Sequence, residues 1–301
     1  MISIAEEVSS ASREGRGVVA LETTLIAHGF PRGAGVEVGL ACERAVREAG
    51  AVPASIGVLE GKVVVGLSAA ELARFDGAAA KVGPRDLAAA VVKGLTGATT
   101  AGATVAVCAA VGIRFIATGG LGGVHRGWPD PPDVSADLAA LARARVLVVS
   151  SGVKSLLDVE ATAELLETLG VPVLGWQTDE MPLFYTALGG PPVSARVEEA
   201  GEAWALVRAH WRLRGRGVLL TRQPDESLDD VEALIEQALA EAAAGGIRGG
   251  AITPFVLGRL HARSGGETLR VNRKLVIGNA CLAAAVARAA EGDGDELHLE
   301  A

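Results

Sequence analysis

The sequence predicts an α/β fold in which buried, parallel strands are covered by helices. Three observations carry that expectation. Short apolar runs rich in β-branched residues recur at 115–118 (FIAT), 146–150 (VLVVS), 171–174 (VPVL) and 217–221 (GVLLT), and runs of that length suit strands covered on both faces. Alanine-rich helical patterns separate several of them, as a parallel sheet requires of its crossovers. Two of the runs, 115–118 and 146–150, lead straight into glycines and small polar residues. Ligands of open α/β sheets bind beyond such carboxyl ends.

In chain order, a short polar helix precedes 17–28 (GVVALETTLIAH), which reads as one buried strand holding a carboxylate, Glu22. An unpaired charge buried there would cost several kcal/mol, so Glu22 is expected to be paired, protonated or facing a cavity. The 35–49 segment has helical periodicity with a charged face, 56–67 reads as a hairpin turning at Glu60-Gly61, and Ser68 with Glu71 forms a capping box. Lys81 ends an alanine run and Pro84 opens a helix. The small-residue stretch 97–112 reads as a buried helix. Further helices are expected at 159–169, 195–212 and 231–244, then one from Thr253 as its cap, and a long one from Thr268. That last helix carries Asn272 and Asn279 seven residues apart, hence on one face. Gln177, Thr178 and Asp179 follow the 171–174 strand and are candidates for the same pocket, and the charged tail after residue 291 reads as frayed.

Composition narrows the function. The chain has 301 residues, 50% of them hydrophobic, enough for a large core. No linker interrupts it, so one domain spanning 1–301 is expected. Aromatics make up 3% and the formal net charge is -8, which speaks against single-stranded nucleic-acid stacking and against a general polyanion binder. Cys42, Cys108 and Cys281 are far apart and lie in alanine-rich helical patterns. They read as small core residues of a reduced, cytoplasmic protein rather than zinc ligands. The first residues lack the apolar run of a secretory signal, and no apolar segment reaches the ~20 residues of a membrane helix.

The chemistry concentrates between 115 and 158. Thr118 and a glycine-rich loop with His125 and Arg126 end one strand; Ser150, Ser151, Gly152 and Lys154 end the next. Glycines let amides approach an anion, and Arg126 is placed to fork onto it. Asp133, Ser135 and Asp137 collect oxygen donors suited to a hard divalent cation. GGLGGVHRG has His125 where a dinucleotide fingerprint needs glycine, and Lys154-Ser155 lacks the glycines of a phosphate-binding P-loop. Glu22, Lys81 and Lys154 remain, each in an apolar or glycine-rich context. A desolvated lysine with a pKa lowered by roughly 3 units holds enough free amine to attack a carbonyl and form a Schiff base. A partly desolvated glutamate beside it would move protons.

The segments LETTLIAHGFPRG, KVGPRDL, ATGGLGGVHRG, DVSADL, SSGVKSLLD, GWQTDEMPLFY and NRKLVIGNACLAAAVA, in this order, resemble the pseudouridine-5′-phosphate glycosidase family, also called pseudouridylate synthases and related to indigoidine synthase A. The resemblance implies a three-layer α/β/α sandwich around a largely parallel or mixed sheet. It implies reversible cleavage of the C–C glycosidic bond of pseudouridine 5′-phosphate to uracil and ribose 5-phosphate. Matching motifs make Lys154 the Schiff-base nucleophile and Glu22 the proton donor, with Asp133 holding one manganese ion per subunit. They place Lys81, Ala101, Ser135, Ala136 and Asp137 against substrate, with Thr118, His125 and Asn279 in the pocket and a homotrimer as the assembly. The run Ser150-Ser151-Gly152-Val153 before the lysine departs from the family pattern in local shape. Two alternatives share these residues: another Schiff-base lyase or aldolase acting on a sugar phosphate, and a sugar-phosphate-binding sensor without catalysis.

Overall fold

The computed structural model describes residues 1–77, 79–127, 129, 133–228 and 231–292. Its strands are β1 (Ile2–Ile4), β2 (Val18–Glu22), β3 (Val52–Leu59), β4 (Lys62–Val65), β5 (Ala80–Val82), β6 (Gly97–Thr99), β7 (Phe115–Ala117), β8 (Val124–His125), β9 (Leu147–Ser150), β10 (Leu157–Asp158), β11 (Val173–Trp176), β12 (Ala195–Val197) and β13 (Val218–Arg222). One mixed, 11-stranded sheet runs in the order β1-β4-β3-β2-β7-β9-β13-β11-β12, with β5 and β6 extending from β3. From β3 to β12 every neighbour along that order is parallel, whereas β3 meets β4 and β6 antiparallel.

Alternation along the strands makes the three layers. Val19, Leu21, Phe115, Ala117, Leu147 and Val149 point into one core, under helices that include Ala34–Glu48, Ala200–Arg212 and Glu267–Ala289. Val18, Ala20, Ile116, Val146 and Val148 point into the other, under helices that include Glu6–Arg13, Ala101–Val111 and Ala136–Arg143. The central strands β7 and β9, and β2 up to Glu22, are therefore apolar and buried along their length until their carboxyl ends, because neither face meets water. The chain leaves β2 toward β3 on one side and later resumes at β7 on the other side of β2. That reversal opens a crevice beyond the carboxyl ends of β2 and β7, where Glu22 and Thr118 stand.

Several boundaries differ from the sequence expectation. The expected strand 17–28 stops at Glu22, and Thr24–His28 is a helix. Past Glu22 the Thr23 hydroxyl, not a ladder amide, donates to the Ile56 carbonyl at 2.8 Å, which turns the chain off the sheet. The 97–112 stretch divides into β6 and the helix Ala101–Val111, because the Thr99 amide is held by Thr23 Oγ1 at 2.9 Å and Thr100 caps the helix. Residues 195–197 form the sheet edge β12 rather than a helix start. The helix expected from a Thr253 cap begins two residues earlier, at Ile252 with Ala251 as its cap, out of a tight turn over Gly249–Ala251. Glu43, expected on the charged face of its helix, is buried, and Cys281 is exposed. The tail after residue 292 lies outside the described residues. No described helix is long and apolar enough to cross a membrane.

Candidate active site

Glu22 ends β2 with only 7% of its surface exposed. Its two carboxylate oxygens accept hydrogen bonds from the hydroxyls of Thr24 and Thr118. Both donors sit on the turns that leave their strands, so the carboxylate is held across the switch point by the local folding of β2 and β7. Asn279, fully buried in the long helix, fixes the other side of the β7 turn: its Nδ2 donates to the Thr118 carbonyl at 2.9 Å and the Gly119 carbonyl at 3.3 Å, and it pairs with the Ser151 hydroxyl. The asparagine thus supports the pocket from behind and is not part of its wall.

Lys154 follows β9 through a glycine turn. Gly152 has φ +76, and a side chain there would press on the Pro182 carbonyl at 2.0 Å, so only glycine fits. The Lys154 amide then donates to the Leu121 carbonyl at 3.1 Å, which stitches the lysine loop to the glycine loop after β7. A Cβ on Gly120 would come within 2.6 Å of the Phe184 ring and 3.2 Å of Lys154 Cγ. That glycine makes room for the lysine stem to lie across the loop.

A cavity of about 720 Å³ opens in front of these turns. Glu22, Lys81, Thr118, His125, Asp133 and Lys154 line it, together with Ala101, Ser135, Ala136 and Asp137. Of the residues that the family resemblance implicates, all except Asn279 therefore reach one space, from segments up to 132 residues apart in the chain, the interval from Glu22 to Lys154. Thr24, His28 and Asn272, polar groups the sequence also offered, share the wall, and the sequence reading missed Phe184 beside them. Asn272 is 2% exposed and its Oδ1 has no protein partner. The seven-residue spacing marked its helix face, but only the fold separates its place at the wall from the supporting place of Asn279. Gln177, Thr178 and Asp179 do not reach the cavity wall; Thr178 instead accepts from the Glu180 amide and from Gln223.

Two sequence expectations change. Arg126 is not available to fork onto an anion: its guanidinium donates to the Ser155 carbonyl at 2.8 Å and to Glu232 at 2.5 Å. It braces the turn after Lys154. Asp137 is not an open metal ligand either, since its oxygens accept from the Gly102 amide at 2.7 Å and the Gly122 amide at 3.0 Å. Ser135 caps the helix Ala136–Arg143 by accepting from the Asp137 amide. These bonds hold the glycine loop against the start of the helix Ala101–Val111.

Electrostatically the cavity sets amines against carboxylates. The pKa of Lys81 is lowered, first by the protein around it and next by the positive charge of Lys154, while Asp137, Glu22 and Asp133 oppose the shift. Burial lowers that of His125, against the pull of Asp133, and so favours the neutral imidazole. His125 Nδ1 lies 3.9 Å from Asp133 Oδ2. Among the described residues no three histidine, cysteine or carboxylate side chains gather around a common point. A hard ion at Asp133 would therefore take most of its ligands from water or from a bound molecule's oxygens, which fits a loosely held divalent cation.

Acid, amine and hydroxyl groups converging beyond parallel strands at a switch point define an α/β enzyme of the open-sheet class. The chain belongs to the indigoidine synthase A like protein family, whose profile matches residues 7–289. It is 47% identical to a pseudouridine-5′-phosphate glycosidase of Chloroflexus aurantiacus, over 95% of this chain and 98% of that one. It is 45% identical to one of a Nocardioides species, over 96% of each. Among solved structures it superposes on an indigoidine synthase A-like protein of Thermotoga maritima with TM-score 0.85 and 36% identity, covering 96% of both chains. It superposes on the prealnumycin C-glycosynthase AlnA, in complex with ribulose 5-phosphate, with TM-score 0.87 and 38% identity, covering 97% of both.

Proposed function

We propose that the chain cleaves the C–C glycosidic bond of pseudouridine 5′-phosphate reversibly, giving uracil and ribose 5-phosphate through an imine on Lys154. The observation that carries this reading is the convergence of Glu22, Lys81 and Lys154 on one cavity in a chain close to half identical to pseudouridine-5′-phosphate glycosidases. The AlnA complex supports a five-carbon sugar phosphate as the substrate class.

A carbon leaving group accepts electrons poorly, so direct displacement by water between two carboxylates, as for O-glycosides, is unfavourable. An imine supplies the missing electron sink. The Lys154 nitrogen lone pair adds to C1′ as the C1′–O4′ bond breaks, and Glu22 gives its proton to O4′. The resulting secondary ammonium returns one proton to Glu22. The nitrogen lone pair then forms C=N while the C1′–C5 bond breaks, and Glu22 protonates C5 of the departing uracil. Water hydrolyses the imine and frees Lys154 with ribose 5-phosphate. Lys81 pairs with the phosphate, beside Ala101 at the start of its helix. Ser135 to Asp137 position the sugar, and the amide of Asn272 can pair with the uracil imide. Asp133 would hold a manganese ion, which supplies charge that orders substrate oxygens when bound. The reading also carries the homotrimer and the cytoplasmic location implied by the resemblance.

The test is incubation with pseudouridine 5′-phosphate, with uracil and ribose 5-phosphate followed by chromatography. Equimolar release of both is expected. A second reading, a C-glycosynthase with another aromatic acceptor, is favoured by the AlnA superposition. It predicts no release of uracil and no pseudouridine 5′-phosphate from uracil plus ribose 5-phosphate.

A further inference from the structure

A second, small pocket of about 10 Å³ adjoins Glu22, lined by Leu21, Leu25, Cys42 and Val276 and by the polar side chains of Glu22, Ser55 and Thr118. It shares Glu22, Leu25 and Thr118 with the substrate cavity, whereas Leu21, Cys42, Ser55 and Val276 line it alone. Room for about one water with three polar neighbours is what a buried, hydrogen-bonded water needs. Ser55, 2% exposed on β3, donates its hydroxyl to Glu43 Oε1 at 2.6 Å. Its oxygen therefore remains free to accept from a water in the pocket. Glu43 is 8% exposed, and its other oxygen faces the Arg47 guanidinium at 3.4 Å. Arg47 is half-exposed and pairs with Glu7 at the surface. Neither Glu43 nor Ser55 lines the substrate cavity.

We infer that this pocket holds one water that connects Glu22 to Ser55 and Glu43, forming a proton relay for the active-site carboxylate. The inference rests on the proposed reaction, in which Glu22 gives up two protons and recovers only the first from the Lys154 ammonium, so the second must be replaced before the next turnover. The transfer balances. A proton leaves the Glu22 carboxyl for the water, a water proton passes to Ser55 Oγ, and the Ser55 hydroxyl proton passes to Glu43 Oε1. The reverse sequence recharges Glu22. No atom but one proton moves, and no other reactant is needed. Ser55 and Glu43 are positioning residues, because they act through Glu22 and touch no substrate.

The test measures kcat, KM and the solvent deuterium isotope effect on pseudouridine 5′-phosphate cleavage in Ser55→Ala, Glu43→Gln, their double variant and Ser55→Thr. The relay predicts that each single variant loses about tenfold or more in kcat with KM within about twofold, since proton transfer alone is affected. It also predicts a raised isotope effect, a double variant no worse than the weaker single, and recovery in Ser55→Thr, which restores a hydroxyl. Should Glu43→Gln fail to fold, Ser55→Ala, which leaves Glu43 with Arg47, decides alone. A folded Ser55→Ala protein with the parent kcat and isotope effect overturns the relay, as do losses that simply add in the double variant. A parent protein that does not turn over pseudouridine 5′-phosphate overturns the functional reading and the relay together.

Discussion

Glu22 is buried, yet it is held only by two hydroxyls and faces two amines across the cavity. Replacing it with glutamine keeps the Thr24 and Thr118 contacts and removes the transferable proton. Glu22→Gln is expected to lower kcat by about 10²–10⁴-fold with the thermal transition nearly unchanged, as general acid–base contributions run. Full turnover in that variant would remove the proton-transfer role. The amines are distinguishable by their coupling. Because the Lys154 charge is the second-largest cause lowering the Lys81 pKa, Lys154→Met should let the Lys81 pKa rise toward its ordinary value. Titrating the Lys81 side-chain resonance would measure this, and an unmoved pKa would mean the two ammonium groups do not sense each other. Glu22 and Lys154 were legible in the sequence because a charge in an apolar or glycine-rich run has few ordinary explanations. The engagement of Asp137 and Arg126 was not, since their partners Gly102, Gly122 and Glu232 are set by the fold and not by spacing.

At the scale of elements, the site depends on how loops after β7 and β9 are fastened. Asn279 satisfies two buried carbonyls of the β7 turn from the long helix. Asn279→Ala would leave the Thr118 carbonyl unpaired, while the Gly119 carbonyl keeps the Ser151 amide at 2.8 Å, and is expected to cost about 1–3 kcal/mol, one unsatisfied group's worth, in denaturant unfolding at unchanged m-value. A Cβ on Gly122 would fall 2.3 Å from Ser135 Oγ and 2.7 Å from Asp137 Oδ2. Gly122→Ala should therefore push the glycine loop off Asp137, at about 1–3 kcal/mol of stability, and should raise KM for substrate because Ser135 and Asp137 move with it. An unchanged KM would place the sugar elsewhere. Element types were readable where one period dominated, as in the central strands and the long helix. They were not where a hydroxyl ended an element, as Thr23 and Thr100 do, because threonine serves strand interior and cap alike.

The whole molecule carries several half-buried histidines whose protonation the fold disfavours. Burial is the leading cause of the lowered pKa of His28, His210 and His261. With folded values below the unfolded value of about 6.5, the unfolded chain binds more protons in that window, so the stability they contribute is present above pH 6.5 and is lost as pH falls through the folded values. The melting temperature should drop between pH 7 and pH 5.5, before most carboxylates titrate. His261 Nδ1 bonds Thr268 Oγ1 at 2.8 Å, and His261→Gln should flatten that slope; an equally steep slope would assign it to other groups. The layered α/β class was legible because apolar strands and amphipathic helices alternate along the chain. The sheet order was not, since the reversal between β3 and β7 that creates the crevice is a matter of long-range pairing.

The central claim is that the Lys154 amine captures the sugar aldehyde. Borohydride reduction in the presence of ribose 5-phosphate, followed by peptide mass analysis, tests it most directly. The account predicts one covalent pentose phosphate adduct per chain, mapping to Lys154 and absent in Lys154→Met. An adduct on Lys81, or none on a protein that still binds the sugar phosphate, would contradict it.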